Sequence, residues 1–223
     1  MKNIYFVIPA FNEAQAIFHV VNEVVLAGYE VIVVDDCSSD LTKKLALQAG
    51  AIVLSHQINL GQGAALQTGI EYALLSDAHI IVTYDSDGQH RLVDAEQLIK
   101  CIAEENIDIA IGSRFLGLQA LNMPRSKKWL LRAATIFTQF ITNVPVTDAH
   151  NGLRAFSRSF AATLNLTQNG MAHATEFIFK IKGHRYKEVP VQVMYSEYSL
   201  SKGQKSLNSI KIVIDLISSL FNK

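Results

Sequence analysis

Residues 80–90 read Ile80-Ile81-Val82-Thr83-Tyr84-Asp85-Ser86-Asp87-Gly88-Gln89-His90, an apolar, β-prone run that stops at two carboxylates one residue apart. An amide oxygen follows at Gln89. Side chains alternate across a strand, so Asp85 and Asp87 project to one side if the extended backbone continues, or converge if the chain turns at Gly88. Mg²⁺ or Mn²⁺ takes one or two protein carboxylates and fills its shell with water and substrate phosphate oxygens, so the pair suits a bound diphosphate. A lone Asp-x-Asp is more often a solvated turn, and the weight of the reading therefore rests on what surrounds it.

The elements that must position this pair are short apolar runs alternating with helical patterns, the signature of a parallel sheet with crossover helices. Ile4–Ile8 predicts a first strand ending at Pro9, and Asn12 a cap for a helix from Glu13 to Leu26. Val31–Val34 predicts a second strand ending at Asp35-Asp36, with Ser38-Ser39-Asp40 capping a helix to Gln48. Further strands are predicted over Ile52–Leu54, up to Asp85, and over Ile107–Ile111, with helices after Asn59-Leu60-Gly61-Gln62-Gly63 and from Asp94 to Glu105. Ligands of open parallel sheets bind beyond the carboxyl ends of the strands, so Pro9-Ala10-Phe11-Asn12-Glu13, Asp35-Asp36 and Asp85-Ser86-Asp87 are expected to share one rim. Taken singly, Asn12, Asp35 and Asp40 read as caps or turn residues, whereas Asp36 and the 85–89 cluster have no capping role.

With 223 residues the chain fits one α/β domain with a sizeable core. Its 20 basic and 20 acidic residues create no overall field that gathers nucleic acid or an anionic membrane by charge alone. Cys37 and Cys101 have neither metal-ligand nor disulfide-framework spacing, as expected of free thiols in a reducing compartment. No secretory signal pattern precedes the first strand and no run of about 18 apolar residues is present, so a cytoplasmic location without a membrane span is expected.

Several of these segments, in this order, resemble family 2 of the inverting glycosyltransferases with the GT-A fold, in particular the dolichyl-phosphate mannose synthase-like branch. They are Pro9-Ala10-Phe11-Asn12-Glu13, Asp35-Asp36-Cys37-Ser38-Ser39-Asp40, Asn59-Leu60-Gly61-Gln62-Gly63 and Asp85-Ser86-Asp87-Gly88-Gln89-His90, then Gly112-Ser113-Arg114, and Asp148 with Asn151-Gly152-Leu153-Arg154-Ala155-Phe156. The resemblance implies that Pro9, Phe11, Glu13, Val34 and Asp36 surround the nucleotide base and ribose. It implies that Asp85, Asp87 and Gln89 hold Mg²⁺ or Mn²⁺ on the donor diphosphate, with Ser86 close by, and that Arg114 meets phosphate. For a sugar-hydroxyl acceptor, Glu176 resembles the usual proton-removing base; for a phosphate acceptor no strong base is needed, and Glu176 is equally well read as an acidic first-turn residue of a helix running to Gly183. Gly61 and Gly63 read as a tight turn and close packing. His90 and His173 are conceivable ligands, although lone histidines are more often structural.

Acceptor identity falls to the C-terminal third. Members acting on polyprenyl phosphate carry an Arg-x-x-Gly-x-Ser-Lys segment after a strand like Lys187-Glu188-Val189-Pro190-Val191; here Tyr198–Ser206 lacks the arginine and inverts the last pair to Lys205-Ser206. Lys202 and Lys205 remain as point charges in that loop, or as solvated lysines. Residues 206–221 read as an apolar helix that lies on a membrane, meets an integral membrane partner, packs on its own domain or pairs with a second copy. A second apolar helix over Trp129–Ile141 has Arg125, Lys127, Lys128 and Arg132 at its start, placed to flank a lipid-phosphate entrance or simply solvated.

The expectation is thus a single GT-A domain comprising a nucleotide-sugar half (1–112), an acceptor half (113–205) and a C-terminal apolar helix (206–223). It is expected to move a sugar from a nucleotide-diphosphate donor to polyprenyl phosphate at the cytoplasmic membrane face. The alternatives are transfer to a saccharide hydroxyl, or a non-catalytic nucleotide-sugar-binding subunit.

Overall fold

The apolar runs of the first half are parallel strands whose successive residues enter two different cores. In β1 (Ile4–Ala10), Phe6 and Ile8 pack in one buried cluster and Val7 in the other. In β2 (Glu30–Asp35), Val31 and Val33 face one way and Ile32 and Val34 the other. β4 (Ile80–Thr83) repeats the alternation. Strands buried on both faces read as continuous apolar runs, which is why they were legible. The computed structural model describes residues 3–117, 123–170 and 172–195.

Among those residues seven strands form one sheet in the order β3-β2-β1-β4-β6-β5-β7, completed by β3 (Ile52–Ser55), β5 (Ile109–Ser113), β6 (Arg154–Ser157) and β7 (Tyr186–Pro190). β6 is antiparallel to both its neighbours; the other pairs are parallel. Because β6 inserts between β4 and β5, the expected halves on either side of residue 112 share one sheet rather than dividing it. Helices α1 (Ile17–Leu26), α2 (Thr42–Gln48) and α4 (Leu92–Glu104) cover one face, and α3 (Gln62–Leu75), α6 (Arg158–Ala161) and α7 (His173–Lys180) the other. α5 (Arg125–Thr142) begins after Pro124 and lies along α7, with Thr138 and Thr175 hydroxyls 3.3 Å apart.

Three expectations shift. α1 starts at Ile17 rather than Glu13, because Asn12 does not cap it: Asn12 adopts φ 55° and its Oδ1 accepts from the Ser39 N–H at 2.9 Å, tying the first rim loop to the second. α7 spans His173–Lys180, so Glu176 is in its first turn as one reading had it, but the helix stops short of Gly183. The short β6 was not anticipated; it opens with a buried arginine, which breaks the apolar pattern. Lys202, Lys205 and the helix expected over 206–223 lie outside the described residues.

The topology puts one end of every central strand on the same rim. β1, β2 and β4 end there, and antiparallel β6 begins there, with Thr83 facing Arg154. β5 runs out at Ser113, directly before Arg114.

Candidate active site

Asp85 and Asp87 follow β4 in a turn closed by Gly88 at φ +73°. Asp85 is held from two sides. His90 Nε2 lies 2.8 Å from its Oδ2, and Gly152 packs so closely that a methyl group there would collide with the carboxylate. Burial opposes the charge on Asp85, but His90, Arg154 and Arg114 outweigh it and keep the carboxyl below the usual range. Asp87 behaves oppositely. Burial, then the neighbouring charge of Asp85, pushes it up to about 6. Gln89 steadies it, donating its backbone N–H to Oδ1 at 3.1 Å and its side-chain amide to Oδ2 at 2.6 Å. Its amide nitrogen thus orients Asp87. Ser86, between Asp85 and Asp87 in the sequence, is buried.

The neighbouring charges give a measurable signature. The folded pKa of Asp87 lies above its ordinary 3.8, so this group favours folding below about pH 4, and that contribution is lost as pH rises through about 6. In chelator, Tm should fall through this window by more in the native chain than in an Asp87→Asn variant. Mn²⁺ should raise Tm more at about pH 7.5 than at about pH 5. Equal metal shifts at both pH values would contradict a site built on this pair.

The β1–β2 side of the rim is more deeply packed than expected. Pro9 and Val34 face each other in the β1–β2 register and are buried in the sheet, so they floor the rim rather than line it. Glu13 is buried and Phe11 is 46% exposed at the edge. Asp36 is engaged internally: its carboxylate accepts from the Leu60 N–H at 2.9 Å and the Gly61 N–H at 2.7 Å, and pairs with His56 Nδ1 at 2.7 Å. His56 Nε2 reaches Thr68 Oγ1 at 3.0 Å. Asp36 thus shapes the 59–63 turn as well as standing at the rim. Gly61 takes φ +98° and packs against the Asn169 carbonyl, where a Cβ would clash.

Arg114 is held within the chain. Its guanidinium forks onto Asp148, with Nε to Oδ2 at 2.6 Å and NH2 to Oδ1 at 2.7 Å, and NH1 donates to the Tyr195 hydroxyl at 3.1 Å. Burial opposes its charge, yet Asp148 raises its pKa above the ordinary value. Asp148 is held low in return, by Arg114 against its own desolvation. These bonds use one N–H each of Nε, NH1 and NH2, so Arg114 is a fixed rather than a mobile cation. Glu188 locks the pair from behind by accepting from the N–H groups of Thr147 and Asp148.

Lys127, read from sequence only as part of a basic helix start, is the cation that sequence reasoning missed. Its Nζ sits 4.4 Å over the Tyr195 ring. Burial and then Arg114, whose NH1 donates to the hydroxyl of that same tyrosine, lower its pKa, while Asp87 opposes them. Arg154 is likewise buried, stacked 4.2 Å over Phe177, and lowered to about 10 by desolvation. The signal for Lys127 was its spacing from Trp129 on a helix start, but which side faced inward was not readable. His150 and His173 are each lowered to about 4 by burial, and so are neutral near pH 7. His173 Nδ1 lies 2.9 Å from the Gly170 carbonyl, which only accepts, so that nitrogen carries the proton.

Glu176 is committed as well. Its carboxylate accepts from the Thr167 N–H, the Thr167 hydroxyl and the Gln168 N–H, all within 3.0 Å. It clamps the 167–170 loop, whose Asn169 carbonyl in turn receives the Gly63 N–H at 2.8 Å.

A family profile described as Glycosyl transferase family 2 matches residues 5–164. The chain is 40% identical over 220 residues, 96% of this chain and 90% of the relative, to an uncharacterized protein of Methanocaldococcus jannaschii. It is 32% identical over 239 residues, 97% and 95% respectively, to the UDP-N-acetylglucosamine--dolichyl-phosphate N-acetylglucosaminyltransferase of Methanococcus voltae. Its fold is similar to that of glucosyl-3-phosphoglycerate synthase from Mycobacterium tuberculosis, solved in complex with Mn²⁺, UDP-glucose and phosphoglyceric acid. The TM-score is 0.74 at 19% identity, over 97% of this chain and 79% of that one.

Proposed function

The chain belongs to glycosyl transferase family 2, and from that membership we propose that it moves a hexosyl group, with inversion, from a nucleotide-diphosphate sugar to a polyprenyl phosphate. The observation that carries this reading is the rim itself: Asp85 and Asp87 follow the end of β4, Arg114 follows the end of β5, and Lys127 lies over Tyr195, whose hydroxyl accepts from Arg114. A diphosphate leaving group needs neutralising charge, and these groups lie where strand ends and loops converge to receive it.

A divalent cation fits the donor set. Two carboxylates, one of them kept from ionising freely by the other, are relieved by a dication, and oxygen ligands suit Mg²⁺ or Mn²⁺. Asp85 and Asp87 would hold it; bound there, it would offset the charge that develops on the departing nucleoside diphosphate. The chain's own groups do the rest. His90 and Gly152 fix Asp85, Gln89 fixes Asp87, and Arg114 and Lys127 hold positive charge beside them. The acceptor oxygen attacks the anomeric carbon from the side opposite the leaving group, which inverts the configuration.

A phosphate acceptor is favoured because it is already anionic and requires no proton removal, while the one carboxylate resembling a base, Glu176, has its lone pairs occupied by the 167–168 loop. A Glu176→Gln variant is expected to lose stability, by about 1–3 kcal/mol, since an amide cannot accept from all these donors. Its kcat with polyprenyl phosphate should fall less than about tenfold, against the roughly 10²–10⁴ expected for loss of a general base. A larger loss, with an altered acid limb in the pH–rate profile, would return Glu176 to the chemistry.

Among the described residues no helix is long and apolar enough to cross a membrane. We place the protein peripherally at the face where a lipid-linked acceptor presents its phosphate. The decisive experiment incubates pure protein with a panel of nucleotide sugars, Mn²⁺ or Mg²⁺, and short-chain polyprenyl phosphate, with mass detection of products. A product of acceptor plus one hexosyl unit is expected; elongation of a saccharide without any glycosylated lipid phosphate would overturn the reading.

A further inference from the structure

α5 is amphipathic in the reverse of the usual sense. Its inward face is polar: Thr135, Thr138 and Thr142 are buried, and the Thr142 hydroxyl donates back to the Thr138 carbonyl at 2.8 Å. Its outward face carries the large apolar side chains. Trp129 is 73% exposed, Ile136 64% and Phe140 87%. At 100° per residue, Trp129, Ile136 and Phe140 fall within one narrow sector, and Arg125, Lys128 and Arg132, all exposed, border its one edge. The last three cations and Trp129 line a recess of about 280 Å³ at the start of the helix.

Charge and hydrophobicity both identify what such a face meets. The whole chain is neutral by formal count, yet α5 carries four cations, Arg125, Lys127, Lys128 and Arg132, and no carboxylate. A protein partner of ordinary composition is matched by either property alone; an anionic bilayer matches both at once, with headgroup phosphates for the cationic edge and the acyl boundary for the aromatic one. Indole in particular favours that boundary.

We infer that the outward face of α5 is a membrane-contacting surface that seats the protein in the headgroup layer of an anionic bilayer. This rests on the lipid-linked acceptor proposed above and adds the element responsible. The same helix sets Lys127 over the ring of Tyr195, whose hydroxyl accepts from Arg114, so seating α5 at the surface brings that end of the rim toward the headgroup layer.

Trp129 is the single tryptophan of the chain, so its emission reports on α5 without labelling. The full chain is titrated with vesicles of phosphatidylcholine alone and of phosphatidylcholine with about one third phosphatidylglycerol. Expected are a blue shift of Trp129 emission and co-sedimentation with the anionic vesicles, weakened by salt, and about tenfold or more loss of partitioning in an Ile136→Ser/Phe140→Ser variant. An Arg125→Gln/Lys128→Gln variant should lose the preference for anionic lipid while retaining Tm, which guards against misfolding as the cause. Vesicle binding unchanged in both variants would place the contact elsewhere in the chain and overturn the inference. So would a Trp129 already shielded from quencher in the absence of lipid, whether by residues 206–221 or by a second copy seen in light scattering. Transfer to short, water-soluble polyprenyl phosphate separates this result from the functional reading: normal turnover without vesicle binding sinks only the surface, and vesicle binding without turnover sinks only the reaction.

Discussion

An Asp87→Asn enzyme is expected to turn over about 10²–10³-fold more slowly while unfolding at a higher temperature than the native chain in the absence of metal. The two effects have one cause. Asp87 is pushed up to about 6 because burial and Asp85 both disfavour its charge, so near pH 7.5 the folded protein holds an ionised group in a place that resists it. A neutral amide of the same size removes that cost, and Tm rises. The same charge is half of what binds a dication and thereby stabilises the leaving diphosphate; losing such a preorganised group costs roughly 2.7–4 kcal/mol in transition-state stabilisation. A simple structural role for Asp87 predicts the opposite pairing, lower Tm with retained rate. Thermal denaturation in chelator and kcat in Mn²⁺, measured on the same preparation, distinguish the two.

Asp148→Ala is expected to be the most destabilising single change at the site. Arg114 would remain buried with its fork empty, and removing one partner of a buried ion pair costs about 3–5 kcal/mol. For a chain of this length that corresponds to a fall in Tm of roughly 6–20 °C. The compensating variant, Arg114→Met/Asp148→Leu, removes both charges together and should recover most of the stability, because a well-packed apolar pair often equals a buried ionic one. Activity should not recover, since the positive field beside Asp85 and Asp87 is gone. Restored stability with restored kcat would show that the pair only holds the fold, and that Lys127 suffices.

The parts of the fold legible in the sequence were those whose physics is local. β1, β2 and β4 announced themselves because strands buried on both faces must be apolar throughout, and the carboxylates that end them mark the rim by contrast. What escaped was decided by distant partners. Asn12 has the chemistry of a helix cap, but the second rim loop, 26 residues on, offered its Ser38 hydroxyl and Ser39 N–H first. β6 is four residues long and opens with Arg154, which is tolerated there with Phe177 beneath the guanidinium, the Ala149 carbonyl accepting from it, and the charges of Asp85 and Asp148 favouring its own. Arg114 follows a strand as expected, yet its counterion Asp148 comes from a loop 34 residues later, and nothing in the spacing predicts that pairing. Glu176 illustrates the same limit. An acidic residue in a first helical turn is ambiguous between cap, clamp and base until the loop at Thr167 is folded against it.

The helix over Arg125–Thr142 was also anticipated from its apolar content, but sequence periodicity does not tell which face turns inward. Its threonines and its aromatic residues are both regularly spaced, and the fold chose the threonines for the interior. The reason is local to the neighbour: α7 presents Thr175 at the contact, so a hydroxyl-bearing face pairs there where a tryptophan would leave a buried hydroxyl unsatisfied.

The most direct test of the central claim, that Asp85 and Asp87 hold a dication on the donor diphosphate, is calorimetric titration of UDP and GDP into the protein with Mn²⁺ and with chelator. One of the two nucleotides is expected to bind with Mn²⁺ and to lose about a hundredfold or more in affinity in chelator, in Asp85→Asn and in Asp87→Asn alike. Nucleotide binding of equal strength with and without metal, and unchanged in both variants, would contradict the account.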